Sequence, residues 1–224
     1  MTAPKVVAFD VNETLLDLRA LDPHFVRMFG DATVRPLWFT QMLQLAFIGT
    51  ITGEYIHFTA AQRRALRMIA TRRGVTLADA DSAAIADQMT QLPAHGDVVP
   101  ALEALGRTGA TIVALTNSPS AVAEAQLRNA EIRGRFAQVL SADTVRRLKP
   151  APEPYQMAAE CTGVAPGELM LVAAHGWDIS GALAAGCRAA FVARPGALLD
   201  PEGPQPEIVA SGLAAVVEGI IALF

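Results

Sequence analysis

Four sets of polar residues stand where short apolar runs end, and their types suit nucleophilic chemistry. Asp10 follows Val6–Phe9 and leads into Val11, Asn12, Glu13 and Thr14. Thr116, Asn117 and Ser118 follow the run 111–115, Lys149 lies in the connection after Gln138–Leu140, and His175, Trp177 and Asp178 follow Leu169–Ala173. A carboxylate beside a lysine ammonium stays ionised, because a nearby cation lowers its pKa. An ionised carboxylate can then form a covalent intermediate with a substrate. Thr14 is placed to orient Asp10 by a hydrogen bond. A neutral imidazole can activate water, and a carboxylate can orient that imidazole, so His175 and Glu13 form a candidate dyad.

The elements around these residues must bring them together. Five apolar runs, near 6–9, 111–115, 138–140, 169–173 and 189–193, alternate with helical patterns near 98–108, 119–130, 152–162, 178–186 and 208–222. Runs apolar on both faces and separated by helices predict a parallel sheet covered on both sides, an α/β Rossmann-like core. Ligands of open parallel sheets bind beyond the carboxyl ends of the strands, where the polar sets fall. Residues 16–95 break this rhythm: they hold no strand-like run and read as several helices, residues 62–69 with apolar positions at helical spacing. The expected organisation is a core of 1–15 and 96–224 with an all-helical cap of 16–95, residues 92–96 serving as the return hinge. The proline-rich stretch 195–206 reads as a surface loop.

With 224 residues, about half of them apolar, the chain can bury a large core. A net charge of −4 with no basic stripe argues against nucleic acid as the main partner. Cys161 and Cys187 show no metal-like spacing and read as core thiols. No signal-like segment and no apolar run of membrane-spanning length is present, so a soluble cytoplasmic protein is expected. His24, His57 and His95 read as surface or packing residues, and no metal or cofactor is expected.

Phe9-Asp10-Val11-Asn12-Glu13-Thr14-Leu15 resembles the first motif of the haloacid dehalogenase superfamily. Thr116-Asn117 resembles the second, Lys149-Pro150 the third, and the stretch ending at Asp178 the fourth. Within the superfamily the chain is similar to the type II, or L-2-haloacid, dehalogenases. Lys149 to Tyr155 and Trp177-Asp178 with Gly181 match their elements, and Trp38, Tyr55 and Phe58 look like their substrate-facing cap positions. The resemblance implies a homodimer and a nucleophilic Asp10 that forms an aspartyl ester with a small 2-haloalkanoic acid.

The same resemblance distinguishes this chain from the superfamily's phosphatases. Those carry a second Asp two residues after the nucleophile as general acid, where Asn12 stands here. They also hold Mg²⁺ with a fourth-motif carboxylate, where Ala173 and Ala174 stand. Halide leaves without acid or metal. Lys149 keeps Asp10 ionised, with Tyr155 supporting Lys149 or lining the pocket. Asn117, Ser118 and exposed backbone N–H groups after the second strand are the candidates for holding the substrate carboxylate or the halide, with Thr116, Val11, Asn12 and Trp177 also expected at the substrate. Either the His175–Glu13 dyad or Asp178 activates the water. The dehalogenases place an Arg after the cap Trp; here Phe39 stands there, so Arg35 or another donor replaces it, or the substrate differs. Trp38, Phe39, Tyr55 and Phe58 suit a plain cap core equally. A phosphatase or phosphonatase-like hydrolase, or a catalytically weak binding homologue, is the alternative.

Overall fold

A computed structural model describes residues 2–224. In chain order the elements are β1 (Val6–Phe9), α1 (Asp22–Phe29), α2 (Val34–Thr52), α3 (Phe58–Arg73), α4 (Asp79–Met89), α5 (Val98–Gly106), β2 (Thr111–Thr116), α6 (Ser120–Asn129), β3 (Gln138–Ser141), α7 (Pro152–Thr162), β4 (Leu169–Ala173), α8 (Gly176–Ala184), β5 (Arg188–Val192), β6 (Ile208–Ala210) and α9 (Leu213–Ile221).

The six strands form one parallel sheet in the order β3-β2-β1-β4-β5-β6. Strand side chains alternate between faces. Val7, Phe9, Met170 and Val172 pack with Leu102 of α5, Leu127 of α6 and Val216 of α9. Val6, Ala8, Leu171 and Ala173 pack with Tyr155 of α7 and Ile179 of α8. Helices therefore cover both faces, and the central position of β1 and β4 sets Asp10 and His175 side by side.

Helices α1 to α4 form the insert. The chain leaves and returns along paired strands of backbone: Asp17 N–H donates to Pro93 (2.8 Å) and His95 N–H to Leu15 (2.9 Å). Trp38 is fully buried in the insert, its ring 5.3 Å from that of Phe25 and its Nε1 donating to the Gln62 carbonyl of α3. Among the described residues, no helix is long and apolar enough to cross a membrane.

Three expectations need correction. The pattern near 208–222 is not one helix: Ile208–Ala210 is an edge strand on β5, and α9 starts at Leu213. The β-branched pair Ile208-Val209 suits a strand, and Gly212, in extended backbone (φ −159°), separates it from the helix. The helix expected at 178 begins at Gly176, which places Asp178 in its first turn. Cys161 is exposed, whereas Cys187 is buried.

Candidate active site

The turn after β1 carries the nucleophile candidate. Asp10 is nearly buried, and Thr14, one turn on, donates to its Oδ2 at 2.7 Å while accepting the Ala174 N–H at 2.9 Å. The Thr14 hydroxyl thus ties the ends of β1 and β4 together. Lys149 is fully buried, and its Nζ donates to Asp10 Oδ1 (2.9 Å), to Asp178 Oδ2 (2.6 Å) and to the Leu115 carbonyl (2.9 Å). An ammonium out of water needs all three of its protons bonded, and all three are.

Burial alone would raise the pKa of Asp10, but the Lys149 ammonium and hydrogen bonds from His175 and Lys149 hold its carboxyl well below the usual range. Burial would lower Lys149, yet Asp10 and Asp178 hold it above its ordinary value. Asp178 is raised, by burial and by its proximity to Asp10.

His175 stands at the junction of this network with a cleft. Its Nδ1 lies 3.2 Å from Asp10 Oδ2, and its Nε2 lies 3.0 Å from Glu13 Oε2. Its ring is sandwiched between Phe39 (centroids 5.8 Å apart) and Trp177 (5.1 Å). Burial disfavours the imidazolium, but two carboxylates outweigh it and push the pKa up to about 10. The expected Glu13–His175 pair is therefore present, but a neutral His175 is not its resting form. Both nitrogens carry protons directed at carboxylates. Glu13 reaches His175 from a left-handed backbone, φ 63°.

Asp178 is unsuited to activating water. It is fully buried, Oδ2 takes the Lys149 proton, and Oδ1 takes the Tyr155 hydroxyl. Tyr155 thus supports Lys149 through Asp178 and does not line the cleft. Asn117 also departs from expectation: its amide donates to the Lys149 carbonyl (3.1 Å) and accepts the Lys149 N–H (2.8 Å). One N–H and the oxygen thus fix the Lys149 backbone, and the second amide N–H is the part of Asn117 left for a substrate carboxylate or halide. Thr116 accepts the Ser118 N–H at 3.1 Å, and Ser118 Oγ accepts from Asn12 Nδ2 at 3.2 Å. Asn12 Oδ1 in turn accepts from Gln126 Nε2 at 3.0 Å. These residues brace the loop beside Asp10, and Val11 is buried with them.

The cleft, about 760 Å³, lies between α2 and the loops after β1, β4 and β5. Phe39 and Trp177 line it, as the sequence suggested; Trp38 and Phe58 do not. Both belong to the buried interior of the insert, where the Trp38 indole N–H is already satisfied. Tyr55 is bonded to Asp143 instead, with the Arg146 guanidinium 4.9 Å over its ring.

Among the cleft-lining residues that the sequence did not single out as functional, Arg194 and His95 carry the charge or polarity to matter. Arg194 sits just past β5, where Nε and Nη2 donate to the Thr14 carbonyl (3.2 and 3.0 Å) and Nη1 to Asp97 (2.8 Å). The strand-exit rule applied to the fifth strand would have found it. His95, read as a packing residue, faces the Glu13 carbonyl at 3.1 Å. Arg35 also lines the cleft, bonded to Asp22 (2.6 Å) and 3.5 Å from Glu13.

Residues 4–186 match the family of haloacid dehalogenase-like hydrolases. The chain is 26% identical over 217 residues to haloacetate dehalogenase H-2 of Moraxella sp. (strain B), covering 95% of this chain and 96% of that protein. It is 28% identical over 210 residues to (S)-2-haloacid dehalogenase 2 of Pseudomonas sp. (strain CBS-3), covering 92% and 91%. A solved L-2-haloacid dehalogenase superposes with a TM-score of 0.93 at 25% identity, over 98% of this chain and 99% of the other. A parallel sheet that sets Asp10, Lys149 and Asp178 in one buried cluster, together with a match over most of its length, makes this chain a member of the haloacid dehalogenase-like hydrolases.

Proposed function

We propose that the protein is a hydrolytic dehalogenase that cleaves the carbon–halogen bond of 2-haloalkanoic acids through an ester on Asp10. The observation that carries this reading is the Lys149 ammonium between Asp10 Oδ1 and Asp178 Oδ2. It keeps Asp10 anionic and occupies the space between the two carboxylates. A hard divalent cation needs several oxygen ligands. The fourth motif offers it Ala173 and Ala174, and its two nearest carboxylates are already neutralised by an ammonium. Mg²⁺ does not fit these residues. The names of the relatives, haloacetate and (S)-2-haloacid dehalogenases, point to the same reaction.

Each carboxylate oxygen has two lone-pair directions. Asp10 Oδ2 faces two partners, Thr14 and His175, whereas Oδ1 faces Lys149 alone. Oδ1 therefore keeps a lone pair and is the attacking atom. It forms a bond to the carbon bearing the halogen as the carbon–halogen electron pair departs with halide. Asn12, committed to Ser118 and Gln126, supplies no acid, and halide requires none. Arg35, a cation in the cleft wall, holds the substrate carboxylate in place of an arginine at Phe39.

The ester removes the negative charge of Asp10, one of the two that keep His175 protonated. His175 then loses its Nδ1 proton to solvent in the cleft while Nε2–H stays bonded to Glu13. The freed Nδ1 lone pair, facing Asp10, accepts a proton from the attacking water and returns it to the departing alkoxide oxygen. Water adds to Asp10 Cγ, the ester bond breaks, and the 2-hydroxy acid and the carboxylate are released.

Halide release from chloroacetate and 2-chloropropionate, with and without EDTA, tests this reading beside a generic phosphatase assay with Mg²⁺. EDTA-insensitive halide release is expected; Mg²⁺-dependent phosphate release without halide release would overturn it. A cytoplasmic homodimer is proposed with it. Leu37, Ile48 and Ile51 are exposed at spacings that share one side of α2, and neither cysteine is in a disulfide.

A further inference from the structure

The cleft is much larger than a small haloacid. At about 760 Å³ it falls within the range of roughly 300–1,000 Å³ that takes drug-sized ligands, whereas a three-carbon haloacid has about six heavy atoms. The excess runs along α2. Phe39, Leu43 and Phe47 all line it, and residues four apart share a helix face. Eight residues at 1.5 Å each carry that apolar stripe about 12 Å. Phe39 sits at the reactive end, stacked on His175; Phe47 sits at the other, edge-on to Trp177 with centroids 5.4 Å apart.

The opposite wall is held in place. Arg194 is anchored to Thr14 and Asp97, and the Ala197 N–H donates to the Arg194 carbonyl at 2.8 Å. The Leu198 carbonyl lies so close to Gly176 that a Cβ there would stand 2.8 Å from it. Leu198 itself is an exposed leucine at the rim. These contacts tie the loop after β5 to the turns after β1 and β4, so the two walls stand apart across the cleft.

We propose that this site takes 2-haloacids carrying a long alkyl or arylalkyl substituent on carbon 2, the substituent lying along Phe39, Leu43 and Phe47. The proposal rests on the dehalogenase reading of Asp10 and extends it from small acids to large ones. His175 links Asp10 to Glu13, and Arg35 lies 3.5 Å beyond Glu13, so the acid end binds at this end of the cleft and the apolar end faces Leu43 and Phe47. Each methylene buried against these walls adds roughly fourfold in affinity.

Halide release should be measured for 2-chloro acids of increasing length, from chloroacetate through 2-chlorohexanoate to 2-chloro-3-phenylpropionate. In parallel, calorimetry should compare binding of acetate, hexanoate and 3-phenylpropionate, which lack halogen. We expect kcat/KM to rise tenfold or more along the first series and affinity to rise along the second. Leu43→Trp, and Ala197→Phe from the facing wall, should each cut the long-to-short ratio of kcat/KM by at least fivefold. If halide release is fastest with chloroacetate and hexanoate binds no tighter than acetate, the proposal is overturned while dehalogenation stands. If no acid releases halide but 3-phenylpropionate still outbinds acetate, the dehalogenase reading falls and the large-acid pocket survives.

Discussion

The Nε2 of His175 lies 3.0 Å from a carboxylate oxygen of Glu13, and Glu13 holds that position from a backbone with φ of 63°. A non-glycine residue there costs about 1–2 kcal/mol, and such strain persists where the surroundings over-determine it. Here the surroundings are the His95 ring against the Glu13 carbonyl and the Glu13 N–H bonded to the Leu16 carbonyl. Glu13→Gly should therefore lose only about 1–2 kcal/mol, since relief of strain offsets part of the loss of a partly buried ion pair. Ester hydrolysis should slow by a factor of about 100, so mass spectrometry of the quenched variant should show alkylated Asp10. A variant that turns over normally, with no ester, would remove Glu13 from the mechanism.

The charge on His175 makes stability depend on pH in a stated direction. Its folded pKa is about 10 against an ordinary 6.5, because Asp10 and Glu13 outweigh burial. A raised pKa stabilises the fold fully below pH 6.5, and that contribution is lost as pH rises towards 10. Urea unfolding of the wild type should lose a few kcal/mol between pH 6.5 and 10 relative to His175→Gln. Parallel curves for the two proteins would mean that His175 is neutral when folded. At the acid end Asp10, with a lowered pKa, acts in the opposite sense: its contribution is present above its unfolded value and is lost as pH falls through its folded one.

Tyr155→Phe removes the proton that satisfies Asp178 Oδ1 and leaves a buried carboxylate oxygen unpaired. Such a loss costs about 1–3 kcal/mol. The Lys149–Asp178 pair would also loosen, so kcat should fall by about tenfold with KM little changed. Urea denaturation and steady-state kinetics check the two effects. An unchanged kcat would show that Lys149 is held well enough without Tyr155.

Gly181 is required by close approach. A Cβ there would stand 2.5 Å from the Tyr155 hydroxyl and 2.8 Å from the Pro150 carbonyl. Gly181→Ala must displace the turn that carries Lys149. We expect a loss of about 2–3 kcal/mol from overpacking and at least a hundredfold loss of activity. A stable, active variant would show that this turn can give way without moving Lys149.

Much of the site was legible because strand exits announce themselves. Asp10, Thr116 and His175 each follow a run of small or branched apolar residues, and a parallel sheet gathers such exits at one edge. What the sequence concealed was the direction of each polar group. Asn117 binds the backbone of Lys149, 32 residues away, and nothing in local pattern reports that pairing. Trp38 and Phe39 are neighbours of similar type, yet Trp38 faces Phe25 and Gln62 while Phe39 faces His175. Helical phase against an unknown partner separates them. The protonation of His175 was likewise hidden, because it follows from two carboxylates meeting one ring in a buried place. The short edge strand Ile208–Ala210 was absorbed into a helix because three residues carry too little periodicity to stand apart.

The central claim, an ester on Asp10, is tested most directly by a single turnover in water enriched in heavy oxygen, with enzyme in excess over 2-chloropropionate. The first product should carry ordinary oxygen drawn from Asp10, and the peptide containing Asp10 should gain one heavy oxygen atom. Heavy oxygen in the first product, with Asp10 unlabelled, would mean that water attacks the substrate directly, and the account would be wrong.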